Sequence, residues 1–546
     1  MPMCDHVLSD HARRGRVIKL WHSVVLLRVP FGAGTAGQAV HGRSRVRGAR
    51  ELRVADAASV NMTDAPSAGA PHDRRRIAVN FLAVSLSSGL AVLIGVLTTA
   101  YSRRMLGPVA IGQVNWNAAV VACLALIATP GLQTVGQRDI AADPRQTAPL
   151  TSLVLSLQML LAVVAFAIVA IIAIVNPRGG QTGVLLLLQG LSLMVSAGTV
   201  AWVLQAHERM VGPAIASLVI NLLQIPVLIA IIHGPDDVFV FVLYTLPFSL
   251  ALIVFNFWYL HRYGILRFGA LRPRLHGAWR LLGESWPLAL SQGAVLLIYN
   301  GAAIILGFTH SDEEVGHYTT AYKLMLVSTV VSGAMLTAYF PVLSRVRNDP
   351  AQAARVAREF LTLLAWMGLP IAALGWACGR HVNDLMFGSG FARSGPYFEW
   401  LCLNVGLTFL NIAVGSPLLA WGLQKLHFKI VAVAAVANLL LNLLLIPRYG
   451  GWGAIVSTLV AEGLSLGMLI LARRRLAFGR HPIVSIVWPP VLCSLSVALV
   501  VAALPPSFHR YWWAEVVLGT LVLGGCVLIF ERRIATMAFA LLKRRS

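Results

Sequence analysis

PLLAWGLQKLHFKIVAVAAVANLLLNLLLIPRYGGWGAIVSTLVAEGLSLGMLIL, residues 417–471, holds two apolar runs, 430–446 and 452–471, joined by PRYGG. Each run is close to the length that crosses a hydrocarbon core of about 30 Å. Asn438 and Asn442 stand four apart and share one helix face. Pro447 predicts the end of the first helix, and Gly450, Gly451 and Gly453 let the chain reverse within a few residues. The stretch reads as a transmembrane helical hairpin with amide side chains turned toward neighbouring helices.

The same pattern extends outward in both directions. The chain is 57% hydrophobic and 12% charged, where a soluble globular protein carries about 25% charged residues. Repeated apolar runs predict an all-α polytopic membrane protein with about fourteen transmembrane helices. They begin at 77–100 and 109–129, pass through 285–308 and 316–340, and end at 483–503 and 513–531. The formal charge of +22 does not point to nucleic acid, because the arginines cluster in short loops between spans, as the positive-inside rule requires. Arg262, Arg267, Arg272, Arg274 and Arg280 follow the sixth span, and Arg473, Arg474, Arg475 and Arg480 follow the twelfth. Acidic groups such as Asp236, Asp237, Asp312, Glu313 and Glu314 fall in the alternate loops. Both termini are therefore expected in the cytoplasm. Residues 1–76 lack periodicity and are expected to be a disordered basic extension, with Met62 favoured as the true start. The six cysteines form no CxxC and read as small buried residues, although a Cys378–Cys402 bridge is conceivable; no metal site and no cofactor are expected.

A duplication is visible. LGPVAIGQVNWNA at 106–118 parallels LGFTHSDEEVGHYTTAYK at 306–323, and RDIAADP at 138–144 parallels SRVRNDP at 344–350. The repeat predicts an N-lobe over 77–260 and a C-lobe over 285–472, two parallel six-helix units. A basic cytoplasmic linker over 261–284 would join them, with WRLLGESW as a short surface helix, and 473–546 would hold two extra helices and a basic tail. Two such bundles are the architecture of a transporter whose substrate site lies between them.

Ionisable groups inside spans are costly and mark candidate sites. Lys323, two turns into the eighth span, reads as a cation for an anionic headgroup, or as a lysine snorkelling to the interface. Arg103 and Arg104 could complete a cationic lining or bind lipid headgroups; one of the two is expected to face the cavity. Glu462, near the middle of the twelfth span, reads as a proton or sodium site for ion coupling, or as a structural carboxyl bonded to Asn438 or Asn442. Asn115, Asn300, Asn438 and Asn442 are candidate polar cavity-lining residues. No catalytic residue is read.

The late hairpin with LIPRYGGWGAIVSTLVAE, YSRRMLGPVAIGQ at the end of the first span, RDIA at 138–141 and GHYTTAYKL at 316–324 together resemble the polysaccharide flippase family. That family is a branch of the multidrug, oligosaccharidyl-lipid and polysaccharide exporter superfamily. The resemblance covers most of 77–472. It implies a two-lobed fold, secondary transport by alternating access, and an undecaprenyl-pyrophosphate-linked oligosaccharide as cargo, turned from the inner to the outer leaflet for surface polysaccharide biosynthesis. It also implies a bacterial inner membrane location, contact with membrane lipids, and pathway partners such as a polysaccharide polymerase and glycosyltransferases. The absence of a GxxxxGK[ST] loop agrees with secondary transport. A drug/cation antiporter or a peptidoglycan-precursor flippase would share the fold. A membrane glycosyltransferase or ligase, an enzyme, should instead present catalytic residues in a sizeable outer loop, and none is read.

Overall fold

The computed structural model describes residues 71–175, 180–474, 483–503, 517–522 and 525. The proposed start at Met62 and most of the fourteenth span, 513–531, lie outside these residues. Among the described residues there is no strand. The helices are α1 (Pro71–Ala128), α2 (Leu132–Ala142), α3 (Thr147–Val175), α4 (Gly180–Ala197), α5 (Ala201–Ala206), α6 (Val211–Ile231), α7 (Val238–Leu243) and α8 (Thr245–Arg262). They continue with α9 (Ala278–Thr309), α10 (Asp312–Arg345), α11 (Pro350–Phe387), α12 (Ser394–Ala420), α13 (Gln424–Tyr449), α14 (Gly451–Arg474) and α15 (Ile483–Ala502).

Among the described residues, eleven candidate spans meet the length and hydropathy of a membrane helix. The first of them contains two crossings. At 58 residues, α1 would measure about 87 Å if straight, nearly three times the hydrocarbon thickness. Gly107, at φ 75° and ψ 174°, breaks it into two arms, 71–106 and 108–128. Only glycine adopts that conformation without a Cβ penalty, and Pro108 then opens the second arm at a position where its missing N–H costs nothing. With α9 added, thirteen of the fourteen expected spans are present as helices. Large apolar side chains such as Leu93, Ile174, Val254 and Leu444 are more than 60% exposed, which a lipid-facing surface explains.

Three local expectations are corrected. Pro447 does not end its helix: α13 runs on to Tyr449 and turns at Gly450, whose N–H bonds the Ile446 carbonyl. The run read over 430–446 is therefore part of a 26-residue helix that also contains Lys429. WRLLGESW is not a separate surface helix but the opening turns of α9, continuous through Pro287. Arg103 and Arg104 lie in the last helical turn of the first arm of α1, not in a loop. Cys378 and Cys402 are buried and unbridged.

Packing divides the helices into two groups. In the first, α1 packs on α3, α4 and α6, and α6 on α8. In the second, α10 and α11 pack on α12, α12 on α14, and α14 on α13. α1 contacts α10 across the divide, while α9 touches α1 and α2 on one side and α13 on the other. The seam has a local two-fold relation. A Cβ on Gly112 would collide with the carbonyl of Asp312, and one on Gly316 with the carbonyl of Pro108. Asn115 donates to Thr319 Oγ1 at 2.8 Å, and the two are 204 residues apart. Shifting by the same 204 residues turns the contact of Trp116 on Gly307 into that of Thr320 with Arg103. Each half thus presents the same helix face to the other.

Candidate functional site between the helix groups

The seam brings basic groups together. Arg103 is 6% exposed; its Nε donates to Thr320 Oγ1 at 2.9 Å and its guanidinium lies 5.5 Å from the Phe387 ring centroid. Lys323 is exposed, but it stands on the same α10 face as Gly316, Thr319 and Thr320. That face meets α1, so Lys323 projects into the space between the two groups one turn beyond the closed contact. Among the described residues, neither Arg103 nor Lys323 forms an ion pair with a carboxylate. Two neighbouring uncompensated cations are electrostatically unfavourable by themselves and attract an anion.

Arg104 crosses to the second group at a neighbouring point. Its Nε donates to the Met386 carbonyl at 3.0 Å and its Nη2 to the Leu385 carbonyl, so it caps the end of α11. Both arginines of the adjacent pair thus bridge the helix groups, Arg103 buried and Arg104 exposed. Asn115 is in the seam contact itself. Asn300 donates to the Leu296 carbonyl one turn back at 3.1 Å and is not part of the cationic cluster.

Glu462 lies in a second location, a cavity of about 340 Å³ inside the second group that is also lined by Tyr322, Asn404, Asn411 and Asn438. Its partner is not Asn438 or Asn442, which bond each other at 2.9 Å. It is Asn411, whose Nδ2 donates to Glu462 Oε2 at 2.6 Å and to its backbone carbonyl at 3.1 Å. The amide oxygens of Asn404 and Asn411 have no partner. The sequence alone did not single out Thr319, Thr320 and Trp116; the 204-residue spacing was the signal that could have found them, because it pairs them across the seam.

Comparison with known proteins follows the fold. Residues 77–347 match the family model described as polysaccharide biosynthesis protein. A "Putative O-antigen transporter" of Shigella dysenteriae is 24% identical over 403 residues, covering 72% of this chain and 99% of the relative. A protein of the same description from Escherichia coli (strain K12) is 21% identical, covering 72% and 95%. Among solved structures, the lipid II flippase MurJ in an inward closed conformation superposes with a TM-score of 0.66 at 12% identity, over 83% of this chain and 99% of that one. An inward-facing multidrug resistance MATE family transporter gives 0.54 at 14% identity, over 70% and 94%; at such identities these likenesses speak to fold alone. The sequence matches and the polytopic fold agree: over residues 77–347 this chain is similar to the polysaccharide biosynthesis protein family, and over 72% of its length to O-antigen transporters.

Proposed function

We propose that the protein is a secondary-transport flippase that moves an undecaprenyl-pyrophosphate-linked oligosaccharide from the inner to the outer leaflet of a bacterial inner membrane. Residues 77–260 and 285–472 act as two lobes that rock against each other, 261–284 link them, and both termini are cytoplasmic. In this orientation the closed seam lies at the outer end, opposite the arginine-rich loops. The observation that carries the reading is the pair Arg103 and Lys323, uncompensated on the face between the helix groups. A pyrophosphate supplies the missing negative charge. Its sugars cannot cross hydrocarbon alone, because each unpaired polar group there costs several kcal/mol. Glu462, held by Asn411, is the group that takes up a proton or a sodium ion in each cycle. The polymerase and glycosyltransferases of the same pathway are its functional partners.

The test is Lys323→Ala in proteoliposomes loaded with the lipid-linked oligosaccharide. Losing one charged hydrogen bond of about 1.5–3 kcal/mol should slow flipping by roughly ten- to a hundred-fold while insertion is unchanged. Native flipping in that variant discards the headgroup assignment.

A further inference from the structure

The chain between α8 and α9 is fastened along one side and charged along the other. Leu266 is 4% exposed and packs in an apolar cluster with Val154, Trp202 and Leu260. Farther on, the Arg272 N–H donates to Ser152 Oγ at 3.3 Å and the Arg274 N–H to Ser156 Oγ at 3.1 Å. The two serines stand four apart on α3, so this strap follows one face of that helix for a turn. The side chains of Arg267, Arg272 and Arg274 stay exposed.

The pins set a depth. Ser152 and Ser156 lie about 8 and 14 Å along α3 from its first residue, Thr147. Immediately beyond them α3 turns outward-facing and apolar: Met159, Leu160, Val163 and Val164 are between 41% and 57% exposed. Arg272 and Arg274 therefore sit at the border of the apolar band, the level of lipid phosphates, and not out in the aqueous phase. Leu275, 51% exposed, and Trp279, 87% exposed in the first turn of α9, follow in sequence. Indole rings favour this interfacial layer.

Among the described residues, Arg267, Arg272 and Arg274 form no ion pair. Arg274 shares a recess with Asp139 and Glu284, but those carboxylates are already held by Arg138 and Arg280. A free guanidinium matches a phosphate with two parallel N–H bonds. The positive-inside rule accounts for the sign of these charges, but not for a backbone pinned at headgroup depth beside an exposed indole. We propose that residues 263–280 form a docking strap for anionic phospholipid, with the lipid phosphate on Arg272 and Arg274 and the apolar part of the lipid against Leu275 and Trp279. Soluble phosphate shares the charge but offers nothing to those two side chains. The proposal rests on the cytoplasmic placement of 261–284 in the flippase reading, where anionic lipid attracts basic segments next to the membrane.

The test titrates the full chain, delipidated in detergent, with phosphatidylglycerol, phosphatidylcholine and inorganic phosphate, and counts retained lipid by native mass spectrometry. Phosphatidylglycerol should be held at least ten-fold more tightly than phosphatidylcholine, and millimolar inorganic phosphate should not displace it. Arg272→Gln and Arg274→Gln should each weaken its retention about five-fold, and together about thirty-fold. Tm should hold, because backbone N–H groups and not the arginine side chains make the serine bonds. Arg345→Gln combined with Arg347→Gln removes the same charge at and just past the end of α10 and should change retention less than about two-fold. An equal loss in that control, unchanged retention in the Arg272 and Arg274 variants, no preference between the lipids, or displacement by inorganic phosphate overturns the strap. Retention is read without cargo or transport, so a failure of the flippase reading, which Lys323→Ala tests, would leave these outcomes as they are.

Discussion

Adjacent arginines at the end of the first arm of α1 have opposite fates. Arg103 is buried in the seam on Thr320 and Phe387, whereas Arg104 reaches the free carbonyls of Leu385 and Met386. Successive side chains on a helix point about 100° apart, so only one of two neighbours can face a given partner. Arg103→Ala should weaken binding of undecaprenyl pyrophosphate by about ten-fold or more, the loss of a charge-assisted contact. Arg104→Ala should change it by less than about two-fold, since its exposed guanidinium is already committed to the Leu385 and Met386 carbonyls and an exposed charge contributes little; titration in nanodiscs separates the two. Glu462→Gln keeps the volume and the bond from Asn411 but removes the charge. The variant should bind cargo as the native protein does, yet its flipping rate should no longer respond to an imposed proton or sodium gradient. A gradient response that survives the substitution removes Glu462 from coupling.

At the level of elements, the second arm of α1 and α10 meet backbone to backbone because both carry glycine at the crossing. Gly112→Val inserts atoms against the Asp312 carbonyl, and overpacking of this kind costs about 1–3 kcal/mol. The penalty falls only on the closed arrangement, so the closed population should drop by roughly five- to a hundred-fold. A bifunctional thiol reagent bridging Asn115→Cys and Thr319→Cys reports it, since the native side chains touch there. The bridged yield should fall in the Gly112→Val background and, by the two-fold relation, in Gly316→Val as well. Equal effects of the two glycines would be difficult to explain without a pseudo-symmetric seam.

Across the whole molecule, the opposite end is tied by surface charge. Arg138 on α2 donates to Glu284 Oε2 at 2.6 Å, and Arg280 to Glu284 Oε1 at 3.1 Å. The Arg138 and Arg280 hydrogen bonds hold the Glu284 carboxyl below its usual range, and the same bond raises Arg138. A depressed carboxylate contributes its stability above the unfolded-state value, near pH 4.3, and loses it as pH falls through the folded one. The α2–α9 link should therefore hold at neutral pH and release as acidification passes through the depressed carboxyl value. Glu284→Gln should reproduce the released state at pH 7, with faster hydrogen exchange at the start of α9 and little change in overall stability.

The linear chain was sufficient for the class, for thirteen of the crossings, for the duplication and for the family resemblance, because each depends on something periodic or local. Apolar run length is set by bilayer thickness, arginine placement by insertion, and the repeat by spacing alone. Lys323, Arg103 and Glu462 stood out for the same reason: a charge inside an apolar run is visible without coordinates. Their partners were not. That Glu462 meets Asn411 rather than Asn438, that Arg103 meets Thr320 while Arg104 meets the end of α11, and that α13 runs past Pro447 all depend on which helix faces adjoin. Those choices are made by side-chain packing between segments as much as 282 residues apart, and no local pattern encodes them.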